Sequence, residues 1–527
     1  MSYKLISSSY PQLMTKIQAS QIEYVDVVII GGGIAGISIA EFLARHSRLS
    51  IKVLDSAPQL GTFASGKLEG WFHTGALYSG HDDAQTFINC VNSLEDLINL
   101  YSSYFSEQCN IDITETKPNF FTPAVIPNSK GWFYDRPVYL IHPNKNSPEI
   151  SLSGLKSDSV YLEIQRNRVL GRLENAYGQQ HNWLQNGCCL APIYGQIEGY
   201  EGLSCSLRSS TESIDNLCRR FDHYYGLKKS NYEVIKTLDC SMNTTGIMTT
   251  LVASAMERGV TFETGVTVDK LLIDSYGKVK IKSILCHTEN GFSKRLKAKL
   301  FVFTVGKGFE SFLSDLQIRA KLKRSRSAMV VAQPALSDTN FVRMSTKKKF
   351  HFNHFVHNCE IGAEKFVYSL LADSSYTNDD LINQEFEVDI EPILDSAEQY
   401  FGKDQLYSRN LFSYECVKTE FISQEEQKRR YSYWIESNPN SNYLCVLPGK
   451  FSFFPTVAFQ SYRRIKTLIN FEEFVEKSTF VPDVKVMEEA NKLIADYYPM
   501  KVIVEAQNCT AINNNLNLSN LSNLSNL

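Results

Sequence analysis

The sequence contains no run of the ~18 uncharged apolar residues that a membrane-spanning helix requires, so no such span is expected. Its first residues lack the profile of a secretory signal. Lys4, Lys16 and Glu23 interrupt them, and no apolar core follows. The twelve cysteines include no C-x-x-C pair and no metal-ligand spacing, so no metal site is expected. In a chain of 527 residues they read as reduced thiols of a cytoplasmic protein. The vicinal pair Cys188-Cys189 reads as ordinary packing, with a redox pair as the alternative. A formal net charge of −3 gives no global field that would favour nucleic acid. The basic runs Lys321 to Arg326 and Lys347 to Lys349 are short, and read as a solvated strand edge and a turn.

One stretch is rich in glycine. In "VDVVIIGGGIAGISIAEFLARHSRLSIKVLDSA", the β-branched run Val25 to Ile30 reads as a strand buried on both faces. Gly31, Gly33 and Gly36 then make G-x-G-x-x-G. The pattern becomes helical from Ala35 to His46, with Ile37, Ala40 and Ala44 on one face and Ser38, Glu41, Arg45 and Arg48 elsewhere. Ile51 to Leu54 is a second strand, and Asp55 ends it. This is the strand-turn-helix-strand setting in which the motif binds a dinucleotide. Gly31 permits the tight turn, Gly33 lets backbone approach a pyrophosphate, and Gly36 lets the helix pack on the strand. Backbone N–H groups of Ile34 and Ala35 at the helix start face the phosphate charge. Asp55 accepts hydrogen bonds from a ribose hydroxyl, and its charge argues against NADP.

Further signals of the same fold are scattered. In "GIMTTLVASAMERGVTFETGVTVDKLLID" a helix ends at Gly259 and two strands follow. "VKIKSILC" completes a hairpin, and "AKLFVFTVGKG" is a buried strand ending at Gly306 and Gly308. "NYLCVLPGKFSFFPTVAFQSYRRIKTLIN" reads as strand, glycine turn and helix, with Pro455 in the first helical turn. Residues 326–357 alternate as an antiparallel sheet, and 380–402 look helical. A nicotinamide dehydrogenase would complete its nucleotide fold early and continuously. The split pattern is that of an FAD domain threaded through a substrate domain.

Three blocks carry a family resemblance. "FASGKLEGWFHTGALYSG" (63–80) resembles the His-x-Gly loop of glycerol-3-phosphate and L-2-hydroxyglutarate dehydrogenases, with His73, Gly75 and Tyr78 on the pattern and Ser65 in the preceding stretch. "ERGVTFETGVTVDKLL" resembles their helix-Gly-Val-strand element, in which a backbone amide near Val268 would meet the adenine. "LPGKFS" resembles their late Gly-Lys-x-Thr turn, with Gly449, Lys450, Phe451 and Ser452 in its places. The chain is thus identified as resembling the D-amino acid oxidase-like superfamily of FAD-dependent oxidoreductases. Two departures concern the substrate: Ser452 replaces Thr, and the phosphate-binding arginines of the glycerol-phosphate enzymes have no clear match.

The resemblance implies an α/β fold: a discontinuous Rossmann-like FAD-binding domain with an inserted mixed antiparallel-sheet substrate domain. The expected division is a leader at 1–24, FAD-binding parts at 25–84, 239–312 and 441–475, and substrate parts at 85–238 and 313–440. A C-terminal segment follows at 476–510. The Asn-, Leu- and Ser-repeat tail at 511–527 reads as disordered. The implied activity is oxidation of a small hydroxy acid, amine or amino acid by hydride transfer to flavin N5, with an unspecified electron acceptor. An FAD monooxygenase or halogenase, or a non-catalytic flavin-binding protein, stands as the alternative. Expected FAD contacts are Gly31, Gly33, Ile34, Ala35, Gly36, Asp55, Ser65, Val268, Gly306, Gly449, Lys450, Phe451 and Ser452.

Candidates for the chemistry follow from what a flavin oxidation needs. His73 is the candidate base, because an imidazole exchanges a proton near neutral pH; its alternative role is a structural hydrogen bond. Lys450 offers charge beside the flavin or a substrate contact, or is a turn lysine. On the substrate-side sheet, Arg343 reads as a carboxylate clamp or a surface salt bridge, and His354 as a second candidate base. Alternation puts His351 and His357 on one strand face and His354 on the other, which argues against a zinc site.

Overall fold

The computed structural model describes residues 22–75, 77–78, 85–108, 132–143, 232–274, 279–318, 321–344, 351–361, 364–373, 377–378, 389–422, 432–438, 440–474, 482–501 and 503. Residues 1–21, Cys188-Cys189, Lys347 to Lys349 and the 511–527 tail, each with its own expectation, lie outside them.

The first motif folds as its sequence dictates. Strand β1 (Ile22–Ile30) leads through Gly31 to helix α1 (Ile34–His46) and on to β2 (Ile51–Leu54), which lies parallel to β1 with Val27 opposite Ile51 and Ile30 opposite Leu54. Only Val27 to Ile30 of β1 are buried on both faces. Helix α1 departs from the amphipathic expectation, since every residue from Ile34 to Ala44 is buried. Glu41 and Ser38 are therefore interior polar groups. Glu41 is fully buried and meets Arg45 at 2.9 Å, the Tyr101 hydroxyl at 3.1 Å and the Ser254 hydroxyl at 3.1 Å.

The chain then passes α2 (Ala64–Lys67), β3 (Trp71–Phe72), α3 (Gln85–Gln108), β4 (Phe133–Pro143), β5 (Tyr232–Met242) and α4 (Thr244–Glu257). A run of short connections gives β6 (Thr261–Glu263), β7 (Val266–Asp274), β8 (Lys280–Thr288) and β9 (Ser293–Phe303). Gly259 follows α4 with φ of 82°, the left-handed conformation expected of a helix stop. Next come β10 (Lys321–Gln333), β11 (Asn340–Met344), β12 (His351–Ile361), β13 (Glu364–Asp373), β14 (Thr377–Asn378), α5 (Glu391–Phe401) and β15 (Asn410–Ile422). The described chain closes with β16 (Trp434–Glu436), β17 (Tyr443–Leu447), α6 (Phe454–Leu468) and α7 (Val484–Leu493).

Among the described residues these strands make two sheets. An eight-stranded sheet has the order β16-β17-β9-β1-β2-β6, with the β7-β8 hairpin running on from β9. Its β17, β9, β1, β2 and β6 are parallel neighbours. Strand alternation sorts the core into two layers. Val27, Ile29, Val53, Leu300 and Val302 point to the side that α1, α4 and α6 cover, whereas Val28, Ile30, Leu54, Phe301 and Phe303 meet the β7-β8 hairpin. A nine-stranded mixed sheet runs β14-β10-β13-β12-β11-β4-β5-β3, with β15 along the other edge of β10. The basic run Lys321 to Arg326 pairs with β15 on one side from Lys321 opposite Ile422 onward, and among the described residues only Ser325 and Arg326 also pair on the other side, with β14. Two of its charges are paired: Arg326 meets Glu415 at 3.3 Å, and Arg324 pairs with Glu310.

The nine-stranded sheet also has two distinct faces. Val342, Phe355, Tyr368, Leu370 and Cys416 join the core of the nucleotide-fold helices. Phe341, Phe352 and Leu371 point the other way, beneath Tyr400 and Phe401 of α5. Two segments cross the expected divisions. Helix α3 lies on the nucleotide-fold layer, where Asp96 meets Thr456 at 2.5 Å and the Leu100 carbonyl accepts from Arg45 at 2.8 Å. Strand β5, with Asp239, pairs inside the nine-stranded sheet. No helix among the described residues is long and apolar enough to cross a membrane.

Candidate flavin site

The glycine loop is built to bring backbone close to a ligand. Gly31 has φ of 113°, and a Cβ there would lie 2.6 Å from the Thr304 carbonyl oxygen. A Cβ on Gly36 would overlap the Gly31 carbonyl oxygen, so α1 packs on the loop through its missing side chain. Gly33 differs from both: a Cβ there would find only the Ser65 hydroxyl, at 3.2 Å. Its emptiness is on the open side, where a phosphate would approach the start of α1. The Ser65 hydroxyl accepts the Ile34 N–H at 3.1 Å and marks the hydrogen-bonding position that an anion would share.

Asp55 ends β2 beside this loop. Its two carboxylate oxygens accept the Gly32 N–H at 2.5 Å and the Ala57 N–H at 2.8 Å. Burial raises its pKa, and these two backbone bonds oppose the rise. Each oxygen retains a lone pair for a ribose hydroxyl. Val266, at the start of β7, donates its N–H to the Asp55 carbonyl at 2.9 Å, which places the Val268 strand next to the same end of the sheet. Val268 pairs with Cys286 on β8, and β7 has no described strand on its other edge. Gly306, at φ of 51°, follows β9 and keeps open space around its Cα.

Gly31, Gly33, Asp55, Ser65, Glu69, His73, Gly306, Gly449 and Lys450 all retain partial surface among buried neighbours. Gly449 turns the chain after β17 with φ of 69°, and a Cβ there would overlap the Ser432 carbonyl oxygen. Lys450 follows, with Nζ 4.6 Å from the centroid of Tyr78. His73 packs on the other residues of its loop, 4.0 Å from the Trp71 ring centroid and 5.4 Å from that of Tyr78. His73 and Lys450, 377 residues apart in the chain, thus flank one tyrosine ring. Phe451 is in the core, 6.1 Å from Phe454, and Ser452 is buried with its carbonyl accepting from Ser93 at 2.6 Å.

The electrostatics follow from depth. Burial drives the His73 pKa well below 6.5, and Lys450, Lys418 and His351 push it the same way. Burial lowers Lys450 to about 8, with Lys418 adding to the fall and Cys90, Glu420 and Glu69 opposing it. At neutral pH His73 is therefore a neutral imidazole and Lys450 a cation. Two buried polar atoms here lack partners among the described residues, His73 Nδ1 and Ser452 Oγ. An open backbone cradle at Gly33, an acid on the neighbouring strand and unpaired polar atoms at His73 and Ser452 fit an elongated dinucleotide with a polar ring.

Comparison with known proteins bears on the same residues. The family model described as FAD dependent oxidoreductase matches residues 26–122. Residues 26–122 are thus similar to the FAD-dependent oxidoreductase family. The chain shares its fold with the dithionite-reduced L-alpha-glycerophosphate oxidase of Mycoplasma pneumoniae, solved with FAD bound. The identity is 13%, the TM-score 0.54, and the match covers 87% of this chain and 97% of that one. The glycine oxidase of Geobacillus kaustophilus matches at 12% identity and TM-score 0.52, over 88% and 99% of the two chains. NikD, described as an unusual amino acid oxidase essential for nikkomycin biosynthesis, matches at 14% and 0.53, over 88% and 98%. No curated protein matches the chain by sequence.

The two substrate-side candidates lie on the other face of the nine-stranded sheet. His354 is fully buried between Thr339 O and Ser369 Oγ, 2.8 Å from each, and stacks on Phe341. Arg343 lies over the Tyr400 ring at 5.3 Å, and burial lowers its pKa to about 10. Both point to the α5 side of the sheet, away from His73. The physical reason is parity: the face turned to the nucleotide layer carries Phe355, His357 and Tyr368, one residue out of step with His354. Among the described residues no group of three or more His, Cys, Asp or Glu could hold a metal.

Sequence reasoning missed Asp239 and Glu69. Asp239 accepts from Trp71 Nε1 at 3.0 Å, from the Thr74 N–H at 2.7 Å and from the Thr74 hydroxyl. Burial raises its pKa to about 6 against those hydrogen bonds. Glu69 accepts from Asn353 at 2.9 Å, and its carbonyl accepts from His357 at 3.0 Å. An Asp inside an otherwise alternating strand was the one sequence signal available for Asp239.

Proposed function

We propose that the protein oxidises a small hydroxy acid, amine or amino acid at the seam between the two sheets, with His73 taking the substrate proton. The observation that carries this reading is the unpartnered, buried Nδ1 of a neutral His73 beside the cationic Lys450. When bound, FAD supplies the hydride acceptor. Gly33 and the start of α1 hold its pyrophosphate, and Asp55 holds its ribose. The turn at Gly449 leads into α6, whose first turn carries the positive end of a helix dipole beside Lys450. Lys450 adds a full charge there and stabilises negative charge that develops in the site. His73 accepts a proton at Nδ1 without first having to lose one. Trp71, Tyr78 and Phe355 are buried around it and exclude water. The names of the fold neighbours, a glycine oxidase, an amino acid oxidase and a glycerophosphate oxidase, support small C–H donors as the substrate class.

Anaerobic mixing of the holoprotein with hydroxy acids, amines and amino acids tests this directly. The expected result is loss of the visible flavin band with at least one class, slowed about 10²–10⁴-fold by His73→Asn without loss of bound flavin. A yellow protein that none of these classes bleaches would sink the reading and favour a non-catalytic flavin carrier.

A further inference from the structure

The residues on either side of His73 are both fastened to one carboxylate. Trp71, two residues before it, donates its indole N–H to Asp239 Oδ2 at 3.0 Å. Thr74, the next residue, donates its backbone N–H to Oδ1 at 2.7 Å and its hydroxyl to the same oxygen. Behind the carboxylate, β3 pairs with β5 through Trp71 opposite Ser241 and Phe72 opposite Cys240. Asp239 itself is 1% exposed, and the strand that carries it is continuous with the nine-stranded sheet. Trp71 is held against His73 at 4.0 Å between ring centroids and against Phe355 at 5.0 Å, so the indole is fixed on both sides.

A buried carboxylate with three donors is a costly group to keep in an apolar sheet unless it is fully hydrogen-bonded. The sheet pairing already anchors Trp71 and Phe72 without it. What the carboxylate adds is control of the two residues beyond β3, where backbone pairing stops and His73 must still point into the seam. We propose that Asp239 is a positioning residue for His73, its carboxylate clamping Trp71 and Thr74 so that the imidazole keeps one orientation beside Tyr78 and Lys450. This rests on the reading of His73 as the proton acceptor, and it assigns the group that orients that acceptor.

The test uses holoprotein labelled with 15N at histidine, with the His73 ring signals assigned by their loss in His73→Asn. Wild type should show one sharp pair of ring-nitrogen shifts at pH 7.5. Asp239→Asn should broaden or average that pair while the other histidines stay in place. Thr74→Val, which keeps Asp239 and the amide bond, should do so in part, and Thr74→Ser, which restores the hydroxyl, should return the wild-type signals. If Asp239→Asn does not fold, the two Thr74 variants decide the question alone. A second readout is the bleaching rate with glycine, iminodiacetate or glycerol 3-phosphate as probes. Asp239→Asn combined with His73→Asn should be no slower than His73→Asn alone. Unchanged His73 signals in folded, flavin-containing variants, or rate losses that multiply in the double variant, would overturn the proposal. Altered signals together with wild-type bleaching by His73→Asn would instead remove His73 as the base and leave the clamp standing.

Discussion

Lys450 reaches over the ring of Tyr78, its Nζ 4.6 Å from the centroid, so the ammonium is seated on an aromatic face deep between two sheets. An amine placed there has a pKa of about 8, because burial disfavours its charge. The ammonium persists below that value and is lost as pH rises through it. The rate of anaerobic flavin bleaching is therefore expected to fall as pH rises through about 8, and Lys450→Met should lower the rate and remove that limb. Stopped-flow measurements across this range check both. Stability moves in the opposite direction. Between about 8 and 10.5 the unfolded chain holds the proton that the folded chain has lost, so the Lys450 contribution to stability rises with pH. Lys450→Met should accordingly melt above wild type at pH 7, with the gap closing towards pH 10.5.

His73 should give no limb near its ordinary pKa. Burial holds it neutral well below 6.5, where the sequence alone had placed its titration. Between the titrations of Asp239 at about 6 and Lys450 at about 8, the wild-type bleaching profile is expected to hold no further limb. A His73-dependent limb inside that interval would show that water reaches the imidazole.

Gly33 and Gly36 should fail differently when substituted. A Cβ at Gly33 meets only the Ser65 hydroxyl at 3.2 Å, so Gly33→Val should keep its fold while losing flavin. A Cβ at Gly36 overlaps the Gly31 carbonyl, so Gly36→Ala should lose several kcal/mol of stability, on the order of other backbone-strain substitutions. Flavin content from absorbance and unfolding by denaturant separate the two outcomes. Full flavin content in Gly33→Val would overturn the assignment of the pyrophosphate site.

Glu41 is a fully buried carboxylate shared by Arg45, Tyr101 and Ser254, and it ties α1 to α3 and α4. Glu41→Gln leaves Arg45 without its counter-charge. The expected loss is about 3–5 kcal/mol, read from the denaturation midpoint, without a change in the flavin spectrum of the folded fraction.

The C-terminal segment is a strap over the loop that runs from Leu60 to Leu68. Leu60 donates its N–H to Leu493 O at 2.8 Å, the Ala495 N–H returns to Leu60 O at 2.9 Å, and the Tyr497 hydroxyl donates to Leu68 O. Lys67 lies over the Tyr498 ring at 4.1 Å. Tyr497→Phe should cost about 1 kcal/mol and speed flavin release, and truncation before Val484 should release flavin outright. Truncation after Thr510 removes only the repeat tail and should change neither flavin content nor melting temperature.

What the sequence by itself determined was whatever is encoded locally. The G-x-G-x-x-G turn, the acid at Asp55, the helix stop at Gly259 and the Gly449-Pro455 turn are each contained in a few consecutive residues. Their backbone geometry follows from glycine, proline and strand or helix periodicity alone. The resemblance carried by those blocks was enough for FAD and the fold class. Tertiary structure decided what depends on partners far along the chain. Whether His73 is a solvated switch or a buried neutral base depends on Lys450, 377 residues away, and on the sheets that close over both. The faces of β11 and β12 were decided the same way. Alternation shows that His354 and His357 point oppositely, but not which face meets the nucleotide layer, and α5 takes the side that holds Arg343 and His354. Asp239 was illegible for the same reason. A carboxylate in a strand declares its role only when the loop it grips, 165 residues earlier, is folded against it.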